Sequence, residues 1–319
     1  MTPCARRSLL IALFLFAFPA AALASGPPVG GWAEGGVVGA GSRYMALPAG
    51  RGTLLERLSV KSGRLLRTHY LTGHRGIPMV ALDGTPGGLS TDGRTLVLSS
   101  PRTSYPQRTS TLYLMNARNL TLRRRITLRG DFSFDAISPD GAALYLIQLN
   151  DPRNFTRYAV RALDTGSGRL FAKPVVDRRE PDEAMRGLPL TRVTNPDGRY
   201  AYTLYGGGDK PFVHALDTRR RSAACIDIPR IPNNAQMSLR LKGRRLTVLA
   251  DDSPISYVDT ATRKVSGVTK AAPPQPAASA GGSGTSTLPA WLVGALAAAA
   301  LGVAAMVGVR RRRAGAARS

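Results

Sequence analysis

Recurring carboxylates are the first residues in this chain whose spacing could do chemistry. Asp92, Asp140 and Asp197 stand in "STDGRTLVLSS" from Ser90, "SPDGAALYLIQL" from Ser138 and "NPDGRYAYTLY" from Asn195. Such a set could supply general acids, general bases or metal ligands. Turn formation accounts for all three. Proline presets φ at the first corner, Asp bonds its own backbone, and glycine accepts a positive φ, which closes a tight hairpin. The other candidates are sparse. His69, His74 and His214 are scattered without metal-ligand spacing. Cys225, in the apolar, strand-like "SAACIDIP", is the single cysteine left once a leader is removed. No intramolecular disulfide can form, and the thiol reads as a small buried hydrophobe. No Gly-x-Ser-x-Gly elbow stands between a strand and a helix. The sequence therefore excludes structural zinc, implies no cofactor and no metal, and offers no catalytic set.

What the turns do imply is repetition. A Gly-containing turn followed by an alternating apolar strand occurs five times, at Gly41, Gly93, Gly141, Gly198 and Gly243. A second element follows each: "LSVKSGRLL" around Lys61, "LMNARNLTL" around Asn116, "ALDTGSGRL" at Asp164, "ALDTRRRSA" at Asp217 and "YVDTATRKV" at Asp259. In this second turn the Asp or Thr side chain satisfies exposed amides, and a glycine such as Gly63 or Gly168 allows the reversal. Each unit then holds four short strands. A lone unit buries neither face, so tandem units must supply one another's core. The expected fold is all-β: a β-propeller of four-stranded blades, five visible, with room for a degenerate sixth between Leu66 and Leu89.

"YVDTATRKV" resembles the repeat of the YVTN family of bacterial surface propellers, and the Ser-Pro-Asp-Gly turns are similar to those of TolB-type and WD40-like propellers. The resemblance covers roughly residues 30–268 and implies the scaffold, with no particular activity attached.

The ends place that scaffold. Arg6 and Arg7, an apolar run and Ala22-Leu23-Ala24 make residues 1–24 a signal peptide. Residues 25–270 form the extracytoplasmic propeller. "AAPPQPAASAGGSGTST", 271–287, is a stalk whose Pro, Gly and Ser cannot order a core. Residues 288–309, with Trp291 at one end, make a single transmembrane helix of roughly 30 Å. The basic tail 310–319 marks the cytoplasmic side. The expected location is the cell membrane, single-pass, with the bulk of the chain outside.

Removing two arginines of the leader and five of the tail from the formal charge of +24 leaves +17. Secretion argues against nucleic acid as partner, and the surplus of Arg over Lys suits a GC-rich bacterial genome. A protein or an anionic envelope polymer is the partner this surface suits. In a propeller the short turns share one rim, and the longer loops gather on the other, where binding usually resides. Those loops are "HRGIPMVALDGTPGG" from His74, "SSPRTSYPQRTS" from Ser99, "NDPRNFTR" from Asn150, "VDRREPDEAMRGLP" from Val176 and "YGGGDKP" from Tyr205. They carry an aromatic and basic set, Arg102, Tyr105, Arg108, Arg153, Phe155, Tyr205 and Lys210, and one acidic pair, Asp182 and Glu183. The expected function is a membrane-anchored binding platform working through this long-loop face. The alternative is a propeller enzyme, lactonase-like, with its site at the channel mouth.

Overall fold

The computed structural model describes residues 31–149, 151, 153–154, 157–180, 185–206, 210–232 and 235–267. The leader, stalk, apolar span and tail inferred above lie outside the described residues. Among those described there are strands and turns and no helix, hence none long and apolar enough to cross a membrane.

Five antiparallel sheets follow one another along the chain. β1 (Val37–Gly39), β2 (Ser42–Ala49), β3 (Gly52–Ser59) and β4 (Leu65–Thr72) form the first. β5 (Thr95–Ser99), β6 (Thr109–Asn116) and β7 (Leu122–Arg129) form the second. The third contains β8 (Asp131–Ile137), β9 (Ala143–Leu149), β10 (Arg157–Asp164) and β11 (Arg169–Val175), with β12 (Met185–Arg186) paired to β10. β13 (Leu188–Thr194), β14 (Tyr200–Gly206), β15 (Phe212–Asp217) and β16 (Ser222–Asp227) make the fourth. β17 (Met237–Lys242), β18 (Arg245–Ala250), β19 (Ser253–Asp259) and β20 (Val265–Gly267) make the fifth.

The two repeated turns hold each other. All five turn glycines adopt positive φ, from 57° at Gly243 to 73° at Gly141, a region that costs other residues about 1–2 kcal/mol. In the third sheet Ser138 Oγ donates to Asp140 Oδ1 (2.6 Å), which also accepts the Ala142 N–H (3.0 Å). The Asp-Thr element sits on the same rim. Asp164 Oδ1 accepts the Ser167 N–H (2.6 Å), while the Thr165 hydroxyl donates back to the carbonyls of Gly141 and Ala142. Thr218 repeats the latch onto Gly198 and Arg199, and Thr260 onto Arg244. Asp caps its own turn, and Thr ties that turn to the one beside it. In the fourth and fifth sheets the arginine after the turn glycine adds an ion pair to the same Asp: Arg199 to Asp217 at 2.7 Å and Arg244 to Asp259 at 3.1 Å.

Buried apolar clusters join each sheet to the next. Leu55 and Tyr44 of the first meet Leu96, Leu98 and Met115 of the second. Val97 and Leu114 meet Phe134, Leu144 and Leu146 of the third. Tyr145, Ile147 and Val160 meet Ala201, Tyr205 and Leu216 of the fourth, whose opposite face packs Leu204 and Val213 on Leu246 and Val248 of the fifth. Side chains alternate across each sheet, so both faces of an inner sheet are apolar. Each fully buried Leu or Val contributes about 1.5–3 kcal/mol. Among the described residues no such cluster joins the fifth sheet to the first. On the first sheet Val38, Leu65 and Tyr70 stay about half exposed (50%, 49% and 51%).

β1, β8, β13 and the segment leading into β5 meet at one cavity. About 440 Å³ is enclosed by Val38 and Gly39 of β1, Gly88 and Ser90, Asp135 and Ala136 of β8, and Arg192 and Thr194 of β13. Inner segments of the first four sheets thus share one hollow, and no described residue of the fifth lines it. The stretch expected to hide a sixth sheet is spent differently. Residues 76–90 supply the inner edge of the second sheet in two pieces, through Gly76 on Ser99 and Gly88 on Val97. Between these pieces a tight hairpin pairs Met79 with Pro86, and its tip donates from Leu82 and Asp83 to the carbonyls of Pro189 and Leu190 on β13.

Candidate binding faces

At the rim opposite the repeated turns, the loop spanning residues 100–108 is braced from below. Gly130 N–H donates to the Arg108 carbonyl, closing the end of the β6–β7 hairpin. Arg102, only 14% exposed in its side chain, donates to Asp131 Oδ2 (2.5 Å) and to Ser133 Oγ (2.8 Å). Asp131 Oδ2 also takes the Gln107 N–H. Tyr105 donates its hydroxyl to the Asp151 carbonyl at 2.8 Å and packs its ring on the core between the third and fourth sheets. Burial, with the nearby carboxylates of Asp131 and Asp151, pushes its phenol up. Arg102 and Tyr105 thus act as fasteners of the loop spanning residues 100–108.

Of the other candidates, Arg108, Arg153 and Lys210 are exposed on the loops. Tyr205 is not a loop residue. It lies within β14, one residue before its end, at 1% exposure, stacked on Phe212 with ring centroids 5.1 Å apart and close to Tyr158 at 5.9 Å. Phe155, Asp182 and Glu183 lie outside the described residues. Of the aromatic and basic set, Arg108, Arg153 and Lys210 are exposed, while Arg102, Tyr105 and Tyr205 are spent on structural roles.

Sequence reading missed the most polar interior. Asp135 of β8 and Arg192 of β13 form a buried ion pair across the third and fourth sheets. Arg192 also donates to the Asp135 carbonyl and, through Nε, to Thr203 Oγ1 (2.8 Å). His214 lies in the same interface at 1% exposure, and burial holds its imidazole down at about 4. Next to it Asp177 accepts from Arg179 and from the Cys225 N–H at 2.9 Å. Burial pushes the Asp177 carboxyl up, but these hydrogen bonds outweigh it and leave it at about 2. A charged residue at an inward strand position, as in "FSFDAI", is the one signal that could have flagged this interior. Among the described residues no group of three His, Cys, Asp or Glu is placed to hold a metal ion.

The fold and these faces define an all-β protein of antiparallel sheets, three of them four-stranded, that pack on one another in chain order. It is similar to several solved propellers. The putative TolB of Agrobacterium tumefaciens is 17% identical over 70% of this chain and 76% of its own, with a TM-score of 0.40. BamB of Moraxella catarrhalis is 15% identical over 69% and 62%, with a TM-score of 0.37. The Cps50 (Swd1) β-propeller domain of Myceliophteria thermophila is 12% identical over 68% and 67%, with a TM-score of 0.38. No family model matches the chain, and no curated protein does.

Proposed function

We propose that this chain is an envelope-anchored binding platform: a propeller-like body held outside the membrane by a stalk and one C-terminal helix, engaging a protein or an anionic envelope polymer through its long-loop rim. The observation that carries the reading is the bracing of that rim. Arg102 and Tyr105 spend their polar groups on Asp131, Ser133 and Asp151, while Arg108, Arg153 and Lys210 stand exposed. Rigid loops presenting cations lose little conformational entropy on contact.

Two measurements test it. Protease added to intact cells should digest the body and spare only the last residues. Crosslinking on the same cells should capture a defined envelope component with the native chain and lose it when Arg108, Arg153 and Lys210 are changed together to Glu. Capture undiminished by that triple change would remove the rim from the function.

A further inference from the structure

We infer that the opposite rim carries a separate site for a phosphate-bearing ligand, between the first and second sheets. A cavity of about 530 Å³ opens there, and four arginines line it, Arg57, Arg94, Arg118 and Arg123, against a single carboxylate, Asp92. The repeat explains why Arg94 is left without a close acid. At the equivalent position of the fourth and fifth sheets the arginine after the turn glycine closes on an Asp, as Arg199 does on Asp217 and Arg244 on Asp259. In the second sheet the arginine is retained as Arg94, but the paired position is Asn116, set across the ladder from Thr95 just as Asp217 is set across from Tyr200.

Asn116 keeps the turn-forming half of the job, its Oδ1 accepting the Arg118 N–H at 2.9 Å. It gives up the charge. Arg94 is left 80% exposed, its Nε no nearer than 4.0 Å to Asp92. Arg118 and Arg123 are exposed, and no hydrogen bond or ion pair engages their guanidinium groups among the described residues. Arg57, half-buried, donates to Ser42 Oγ (3.0 Å) and to the Arg118 carbonyl (3.0 Å), which fixes the floor. Gly93 closes the wall, because a Cβ there would run into Ala40. Four guanidinium forks against one acid leave a surplus of three positive charges in one concavity. A single carboxylate carries too little charge to meet it. A phosphomonoester or diphosphate brings two or more charges and the oxygen geometry that arginine forks match. The site does not depend on the long-loop rim.

Calorimetric titration of the full chain in neutral detergent with inorganic pyrophosphate tests it. Saturable one-to-one binding is expected, with acetate giving none. Changing Arg94, Arg118 and Arg123 together to Gln should weaken binding at least tenfold. Removing the same charge at exposed Arg67, Arg169 and Arg240 should weaken it less than twofold. Asn116→Asp, which restores the acid that Arg94 has lost, should weaken it about tenfold with the fold intact by thermal melting. A soluble short-chain phosphatidate that competes with pyrophosphate assigns the site to lipid headgroups, and one that does not compete assigns it to soluble or polymeric phosphates. Equal losses in the two triple variants, or no saturable pyrophosphate binding, would overturn the site.

Discussion

Arg192 of β13 reaches across to Asp135 of β8 and pairs with it where the two side chains are 4% and 2% exposed. Breaking a buried pair leaves a charge without compensation and costs about 3–5 kcal/mol, whereas replacing both partners by apolar groups is often neutral. Asp135→Asn should therefore lower the stability measured by urea denaturation by that amount. The double change Asp135→Leu with Arg192→Met should recover most of it. If the double variant is as unstable as the single one, the pair is not the unit that joins these sheets.

His214 makes the same interface sensitive to acid. Its imidazole titrates at about 4 in the folded chain against 6.5 when unfolded. Between those values the unfolded chain binds more protons, so stability falls as pH drops below about 6.5, and the loss is complete near 4. At full extent it is roughly 3 kcal/mol. Asp177 and Asp259 act in a lower window. Each is held at about 2 against 3.8, so what they contribute is present above 3.8 and fades from there down to 2. His214→Phe should flatten the stability profile between pH 6.5 and 4 and leave the lower window unchanged. An unaltered slope in that variant would assign the upper transition to other groups.

The threonine latches should differ in strength with burial. Thr218 is 2% exposed and its hydroxyl donates to the carbonyls of Gly198 and Arg199. Thr218→Val removes the donor from the buried Gly198 carbonyl, while the Arg199 carbonyl keeps the backbone N–H of residue 218, at a cost of about 1–2 kcal/mol. Thr260→Val strips the corresponding bond from a more open turn and should cost under about 0.5 kcal/mol, since water replaces the donor there. Paired denaturation curves read the difference, and equal costs would contradict a burial-graded latch.

The long-loop rim should loosen when its brace is cut. Asp131 is 3% exposed and accepts from both Arg102 and the Gln107 N–H. Asp131→Ala strands the Arg102 cation and frees the loop spanning residues 100–108. Tryptic cleavage after Arg108 should then accelerate at least tenfold at a temperature where the variant remains folded by circular dichroism. Cleavage at the native rate would mean the loop is held by its packing alone.

Turn chemistry was legible in the sequence because it is local. Gly141 needs its positive φ, Asp140 needs the amide two residues on, and both requirements are written within four positions of each other. The period, the strands per unit and the sharing of one rim by the two turns all follow from that. Partners remote in sequence were not legible. Residues 76–90 look like a worn repeat because the acceptors of the Leu82 and Asp83 amides lie on β13, much later in the chain. Tyr205 precedes a run of three glycines and so reads as loop, yet the alternation of "YAYTLY" already places its ring on the face that meets the third sheet. Asp135 and Arg192 each stand in an ordinary strand, 57 positions apart, and neither reveals the other.

The hairpin whose tip reaches β13 also sets an order of assembly. Meanders close over short spans and can form as the chain emerges, but Leu82 and Asp83 must wait for Pro189 and Leu190 to be synthesised before their amides find acceptors. Until then the hub of the structure stays open to solvent. A nascent chain halted short of the fourth sheet would present its apolar interior to whatever quality-control machinery surrounds it, so this one long-range staple doubles as a test that synthesis has gone far enough.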